Sequence, residues 1–162
     1  MNGVIDMAFK TNVMRILDKN KTAYKAHCYE DTGAVSGIEV AEALNENPEQ
    51  VFKTLVTKGK SGEHFVFMIP VAEELDLKKA AVAVGEKSVE MIKQKDLLKT
   101  TGYIHGGCSP VGMKKQFLTT VHKTAEKFDT IIFSAGKIGW QVELSLAELR
   151  KIIIVNSADI IV

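Results

Sequence analysis

The run Gly106-Gly107-Cys108-Ser109-Pro110, followed by Val111-Gly112-Met113-Lys114-Lys115, holds residue types suited to a binding site made of main chain. Two adjacent glycines reach backbone conformations closed to residues with a Cβ and leave no side chains between a ligand and the amides. Pro110 fixes its own φ and biases Ser109 toward extended geometry. Such a loop can turn successive N–H groups into one concavity, where an oxyanion, carboxylate or phosphate would sit. Taken alone, the loop reads more simply as a hairpin turn with a proline stop.

Lys53 is the second candidate. In Val51-Phe52-Lys53-Thr54-Leu55-Val56 the other residues are apolar apart from Thr54. An unpaired buried ammonium is costly, so this lysine lies on an exposed face or reaches into a cleft, and a solvated strand lysine is the commoner outcome. The two cysteines, Cys28 and Cys108, lie far apart without metal-ligand spacing, and the four histidines, His27, His64, His105 and His122, are scattered. Neither a zinc site nor a disulfide framework is indicated. His27 and His105 flank candidate segments and have the type of a general base, although a structural or solvent-facing role is simpler.

These residues need elements to hold them. A chain of 162 residues forms one domain by default and is long enough to enclose a core, and 46% apolar with 25% charged content argues against disorder. Apolar periodicity predicts a helix over residues 9–19, then an edge-type strand over 24–29. Ser36-Gly37-Ile38-Glu39 has the form of a capping box opening a helix that Asn47-Pro48 closes. Strands are expected over 51–57 and 64–70, joined by a polar loop over 58–63, and helices over 77–84 and 88–99. Further strands are expected over 117–121, 130–134 and 141–144, with a short helical turn at 125–128 and a second glycine turn over 135–139. Ser145-Leu146-Ala147-Glu148 reads as another capping box, for a helix to about Ile152, and 159–162 as a final strand. Antiparallel strand pairs interrupted by helices, without a βαβ rhythm or a dinucleotide fingerprint, predict a mixed α+β sheet.

Net charge is +1, so attraction to nucleic acid must come from a local patch. Lys114 and Lys115, with Lys93, Lys95 and Lys99, are candidates for a phosphate-binding rim, although lysine runs are usually solvated faces. Arg15 and Arg150 are the only arginines, which disfavours base reading by guanidinium forks. No apolar run is long enough to span a bilayer and Met1-Asn2-Gly3 begins no signal-like pattern, so a cytosolic location is expected.

The segments Phe52-Lys53-Thr54-Leu55, Leu77-Lys78-Lys79-Ala80-Ala81, Thr101-Gly102-Tyr103, Gly106-Gly107-x-Ser109-Pro110-x-Gly112-x-Lys114-Lys115 and Gly136-Lys137-x-Gly139 occur in this order. Together they resemble the YbaK/EbsC family of Cys-tRNA(Pro) deacylases, relatives of the editing domain inserted in bacterial prolyl-tRNA synthetases. The likeness runs from about Thr11 to the C-terminus. It implies a mostly antiparallel, curved sheet surrounded by helices and a free-standing hydrolase that removes cysteine from mischarged tRNA, a second sieve for a near-isosteric amino acid. It further implies that Lys53 holds the aminoacyl end by a charge-assisted hydrogen bond, and that Tyr29 and Ser134 supply orienting hydroxyls. Gly106, Gly107, Cys108, Ser109 and Pro110 fall on the substrate-binding G-x-x-x-P loop, whose amides would stabilise the oxyanion.

In this family the substrate's own thiol is thought to attack its ester carbonyl, so the resemblance implies no cofactor and no metal, and leaves Cys108 a packing residue. The implied partners are the acceptor end of aminoacyl-tRNA and prolyl-tRNA synthetase; no oligomeric state is indicated. A deacylase for another small aminoacyl-tRNA and a non-catalytic RNA- or protein-binding module remain as alternatives.

Overall fold

Thr11 starts the first helix: its hydroxyl accepts a hydrogen bond from the Met14 amide at 3.2 Å, and α1 (Asn12–Lys19) buries Val13, Met14 and Leu17. The computed structural model describes residues 9–162, so the Met1-Asn2-Gly3 opening lies outside the described residues. Phe9, expected inside the helix, precedes it and packs on the Trp140 ring with centroids 4.8 Å apart.

After β1 (Lys25–Cys28), α2 (Gly37–Ala43) opens on a complete capping box between Ser36 and Glu39. The Asn47 side chain then caps a single 3-10 turn over Pro48–Gln50. β2 (Phe52–Gly59) and β3 (His64–Pro70) form the expected hairpin, with Lys53 opposite Ile69. α3 (Leu77–Val84) is capped by the Asp76 carboxylate.

The helix expected over 88–99 is two elements, β4 (Val89–Met91) and α4 (Gln94–Thr101). Tertiary pairing overrides the local signal here: β4 extends the sheet beside β2, with Val89 opposite Gly59, and the Ser88 carbonyl accepts from the Lys60 amide at 3.0 Å.

β5 (Leu118–His122), β6 (Ile131–Ser134) and β7 (Trp140–Leu144) follow, then α5 (Leu146–Arg150) and β8 (Val155–Ala158). Ser145 caps α5 by accepting from the Glu148 amide, but the Glu148 carboxylate binds Lys151 at 3.0 Å instead of completing the box. The last strand lies earlier than the expected 159–162, because Val155 is buried opposite Thr119. Beyond β8 the tail makes one isolated bridge, Ile161 to Leu75.

The strands form two sheets, ordered β1-β7-β6 and β4-β2-β3-β5-β8. Pairing is antiparallel except along β3–β5 and β5–β8, where long connections allow parallel neighbours. The architecture is α+β and mixed. An isolated parallel bridge between Val51, just before β2, and Ile132 in β6 joins the two sheets. The largest core cluster fills the fold with side chains from α1, the sheets and the first glycine loop, including Met14, Met68, Val111 and Phe133.

Candidate active site

The seam between the sheets is where the candidate residues meet. Lys53 in β2 and Ser134 in β6 each lie two residues on from the Val51–Ile132 bridge, and both line the cleft at that seam. Tyr29 follows the last residue of β1, and its amide donates to the Gly139 carbonyl at 2.7 Å, fastening it to the second glycine turn. Lys53, Tyr29, Ser134, Gly106 and Cys108 all line one cleft of about 370 Å³. That volume lies within the range of small-molecule sites. Phe52, Phe133 and Leu97 supply apolar wall, and the N-terminal end of α2 closes one side with Ser36 and Gly37.

Lys53 is half-buried and makes no ion pair or hydrogen bond among the described residues. No carboxylate stands in the wall among the described residues; the basic side chains there are Lys53 and His105. The Ser134 hydroxyl accepts from the Gly136 amide at 3.1 Å, which leaves its own proton to donate. No histidine or carboxylate is hydrogen-bonded to it among the described residues, so it has no base to make it a nucleophile. Burial pushes the Cys108 thiol up to about 12, against a weaker opposing hydrogen bond with Thr101, so it stays protonated at neutral pH.

The first glycine loop is braced from behind. The Tyr103 hydroxyl donates to the Val111 carbonyl at 2.6 Å, and the Lys114 amide to the Thr101 carbonyl at 2.9 Å. Burial pushes the Tyr103 phenol up to about 12, which keeps it a donor. Gly107 is needed for close approach: a Cβ there would stand 3.3 Å from the Ile138 amide nitrogen on the second glycine turn.

The five loop residues do not act alike. Gly106 and Cys108 line the cleft, whereas Gly107, Ser109 and Pro110 are buried outside its wall. The Gly107 amide is committed to the Ile104 carbonyl at 3.0 Å and Pro110 has no N–H. Only the amides of Gly106, Cys108 and Ser109 have no acceptor among the described residues, a narrower set than the sequence suggested.

His105 is exposed at the cleft, while His27 lies outside its wall with Nε2 2.7 Å from Glu143 Oε1. Sequence reasoning missed Gln141 and Thr54, both in the wall. Thr54 Oγ1 is buried without a partner. Gln141 is 5% exposed, but in Trp140–Leu144 it alternates with Glu143 as on an ordinary polar strand face, so the sequence carried no signal that would have found it.

A family described as "Aminoacyl-tRNA editing domain" matches residues 32–152, most of the chain and every wall element from α2 onward. This chain belongs to the aminoacyl-tRNA editing domain family. It is 49% identical over 137 residues to EbsC of Enterococcus faecalis, provisionally named a Cys-tRNA(Pro)/Cys-tRNA(Cys) deacylase, and the match covers 84% of each protein. It is also 35% identical over 78 residues to a proline–tRNA ligase of Thermosipho africanus, a match covering 48% of this chain and 14% of the ligase. A solved structure provisionally described as a trans-editing enzyme for prolyl tRNA synthetase superposes with a TM-score of 0.80 over 95% of this chain and 99% of the other, at 19% identity. The last likeness is one of fold. In this editing domain, the fold places the cleft where its two sheets meet.

Proposed function

We propose that this chain is a free-standing, cytosolic editing domain that deacylates Cys-tRNA(Pro). The observation that carries the reading is a cleft that gathers an unpaired lysine, the hydroxyls of Tyr29 and Ser134 and free loop amides, but no activated nucleophile among the described residues. The name of the E. faecalis relative supports the substrate assignment. Lys53 would hold the ester carbonyl or a terminal-adenosine oxygen, Ser134 and Tyr29 would donate to the aminoacyl end, and the Gly106 and Cys108 amides would receive the developing oxyanion.

The family resemblance implies that the attacking group is the substrate's own sulfur, and the protonated Cys108 thiol and the unactivated Ser134 hydroxyl in the cleft support that reading. The substrate's thiolate adds to the ester carbonyl and the tRNA ribose oxygen leaves, taking up the thiol's proton. The cysteinyl thiolactone then consumes one water to give free cysteine. Confinement of an intramolecular nucleophile supplies much of the acceleration and selects for a thiol-bearing amino acid. Similarity to part of a proline–tRNA ligase supports prolyl-tRNA synthetase as the partner that presents the mischarged tRNA.

The test is hydrolysis of Cys-tRNA(Pro), Ala-tRNA(Pro) and Pro-tRNA(Pro) by the purified chain with chelator present. Selective loss of the cysteinyl ester is expected. Equal loss of the alanyl ester would remove the thiol from the mechanism, and no turnover with prolyl-tRNA synthetase added would overturn the enzymatic reading.

A further inference from the structure

An aminoacyl ester brings a charged α-ammonium into a cleft whose wall already holds a cation, Lys53. A neighbour of opposite sign is needed close by, yet the wall holds no carboxylate among the described residues. One stands immediately behind it. Gln141 in β7 lies directly between His27 of β1 and Ser134 of β6, so the three side chains share one face of the small sheet. In the orientation that satisfies its hydrogen bonds, the Gln141 amide nitrogen donates to Glu46 Oε2 at 2.8 Å and Oε1 at 3.2 Å. That fixes which way the amide faces: its nitrogen is turned to Glu46, its carbonyl oxygen is turned away from that carboxylate, and the side chain lines the cleft.

Glu46 lies just after α2 and outside the cleft wall. The other carboxylate of this cluster, Glu143, is already committed, to His27 Nε2 at 2.7 Å and to the Thr130 hydroxyl. Glu46 has no such partners: among the described residues its side chain bonds only Gln141 and it makes no ion pair. Burial pushes its carboxyl up, with Glu143 adding to the rise and His27 and Gln141 opposing it, as expected of an anion short of a cation. An amide whose N–H groups are held by a carboxylate is also polarised, which strengthens its carbonyl as an acceptor.

We infer that Gln141 receives the α-ammonium of the aminoacyl group, and that Glu46 is the positioning residue that orients Gln141 and supplies the balancing charge. The inference rests on the reading of the cleft as an aminoacyl-ester site and adds to it a criterion for the amino group, separate from the thiol.

Binding is the decisive readout because it does not require turnover. The probes are 3′-deoxy-3′-(cysteinylamido)adenosine and its 3-mercaptopropionyl counterpart, which keeps the thiol and lacks the amine; binding is followed by calorimetry. Wild type is expected to bind the amine-bearing compound about tenfold more tightly. Glu46→Gln erases that preference and leaves the affinity for the amine-free compound unchanged, while Glu46→Asp restores part of it. Equal binding of the two compounds by wild type, a comparison that needs no variant to fold, overturns the inference alone. A Glu46→Gln variant that weakens both compounds equally overturns it too, by giving Glu46 a merely structural role. Failure of wild type to bind either compound overturns the editing reading and the inference with it.

Discussion

Lys53 reaches the cleft with no carboxylate among the described residues to neutralise it, an arrangement that does little for the folded protein and leaves its charge for an oxygen-rich ligand. Lys53→Ala is therefore expected to lower kcat/KM for Cys-tRNA(Pro) by about 100-fold while the unfolding midpoint stays within about 0.5 kcal/mol of wild type. Loss of activity together with loss of folding would make the lysine a structural residue. Cys108 gives the opposite expectation. Its thiol is buried and pushed up to about 12, so it has almost no thiolate at neutral pH. Cys108→Ala should keep deacylation within about threefold of wild type, and a larger loss traced to kcat would restore a protein nucleophile.

At the scale of elements, the two glycine turns form the wall by packing on each other. Gly136 has φ of +87°, and a Cβ there would lie 2.9 Å from Val13 Cγ2 and 3.0 Å from Tyr103 Cε1. Gly136→Ala should destabilise by about 1–3 kcal/mol in denaturant unfolding, because both the backbone and the neighbouring core side chains must yield. A neutral outcome would show that the turn can re-form around a side chain. Ser36 makes a milder case: its complete capping box holds the α2 end that borders the cleft, so Ser36→Ala should cost about 1 kcal/mol. Elements with local signals were readable from the chain: the Ser36–Glu39 box, the β2–β3 hairpin and both glycine turns each carry their own punctuation. Where long-range pairing decides, local patterns misled. Residues 88–99 read as one helix until β4 is seen taking its hydrogen bonds from β2, and the tail strand was placed too late because the parallel partner of Val155 is Thr119 in β5. The same limit hid the pairing of Gln141 with Glu46, which come together only when α2 is laid against the small sheet.

For the molecule as a whole, the C-terminal tail is a clasp between the start of α3 and the end of β5. The Asp76 amide donates to the Ile160 carbonyl at 2.8 Å, the Val162 amide to the Glu74 carbonyl at 3.0 Å, and the Ile160 amide to His122 Nδ1 at 3.3 Å. Lys79 completes it, binding the Asp159 carboxylate at 3.1 Å and the Ile161 carbonyl at 2.9 Å. His122 is 2% exposed, and its Nδ1 can accept from Ile160 only while unprotonated. Burial pushes its pKa below the ordinary 6.5, with Lys123 and Lys79 adding to the fall and the carboxylates of Asp159 and Glu73 opposing it. Below that ordinary value the unfolded chain takes up a proton that the folded chain resists, so this stability is present above pH 6.5 and is lost as pH falls through the folded pKa. His64, lowered first by burial and then by Lys58 and Lys115, acts in the same direction. Unfolding midpoints should therefore fall between about pH 7.5 and about pH 5.5, and His122→Gln, which keeps an oxygen acceptor but cannot titrate, should flatten the slope. A slope unchanged by His122→Gln but flattened by His64→Gln would move the acid sensitivity from the clasp to the β2–β3 hairpin.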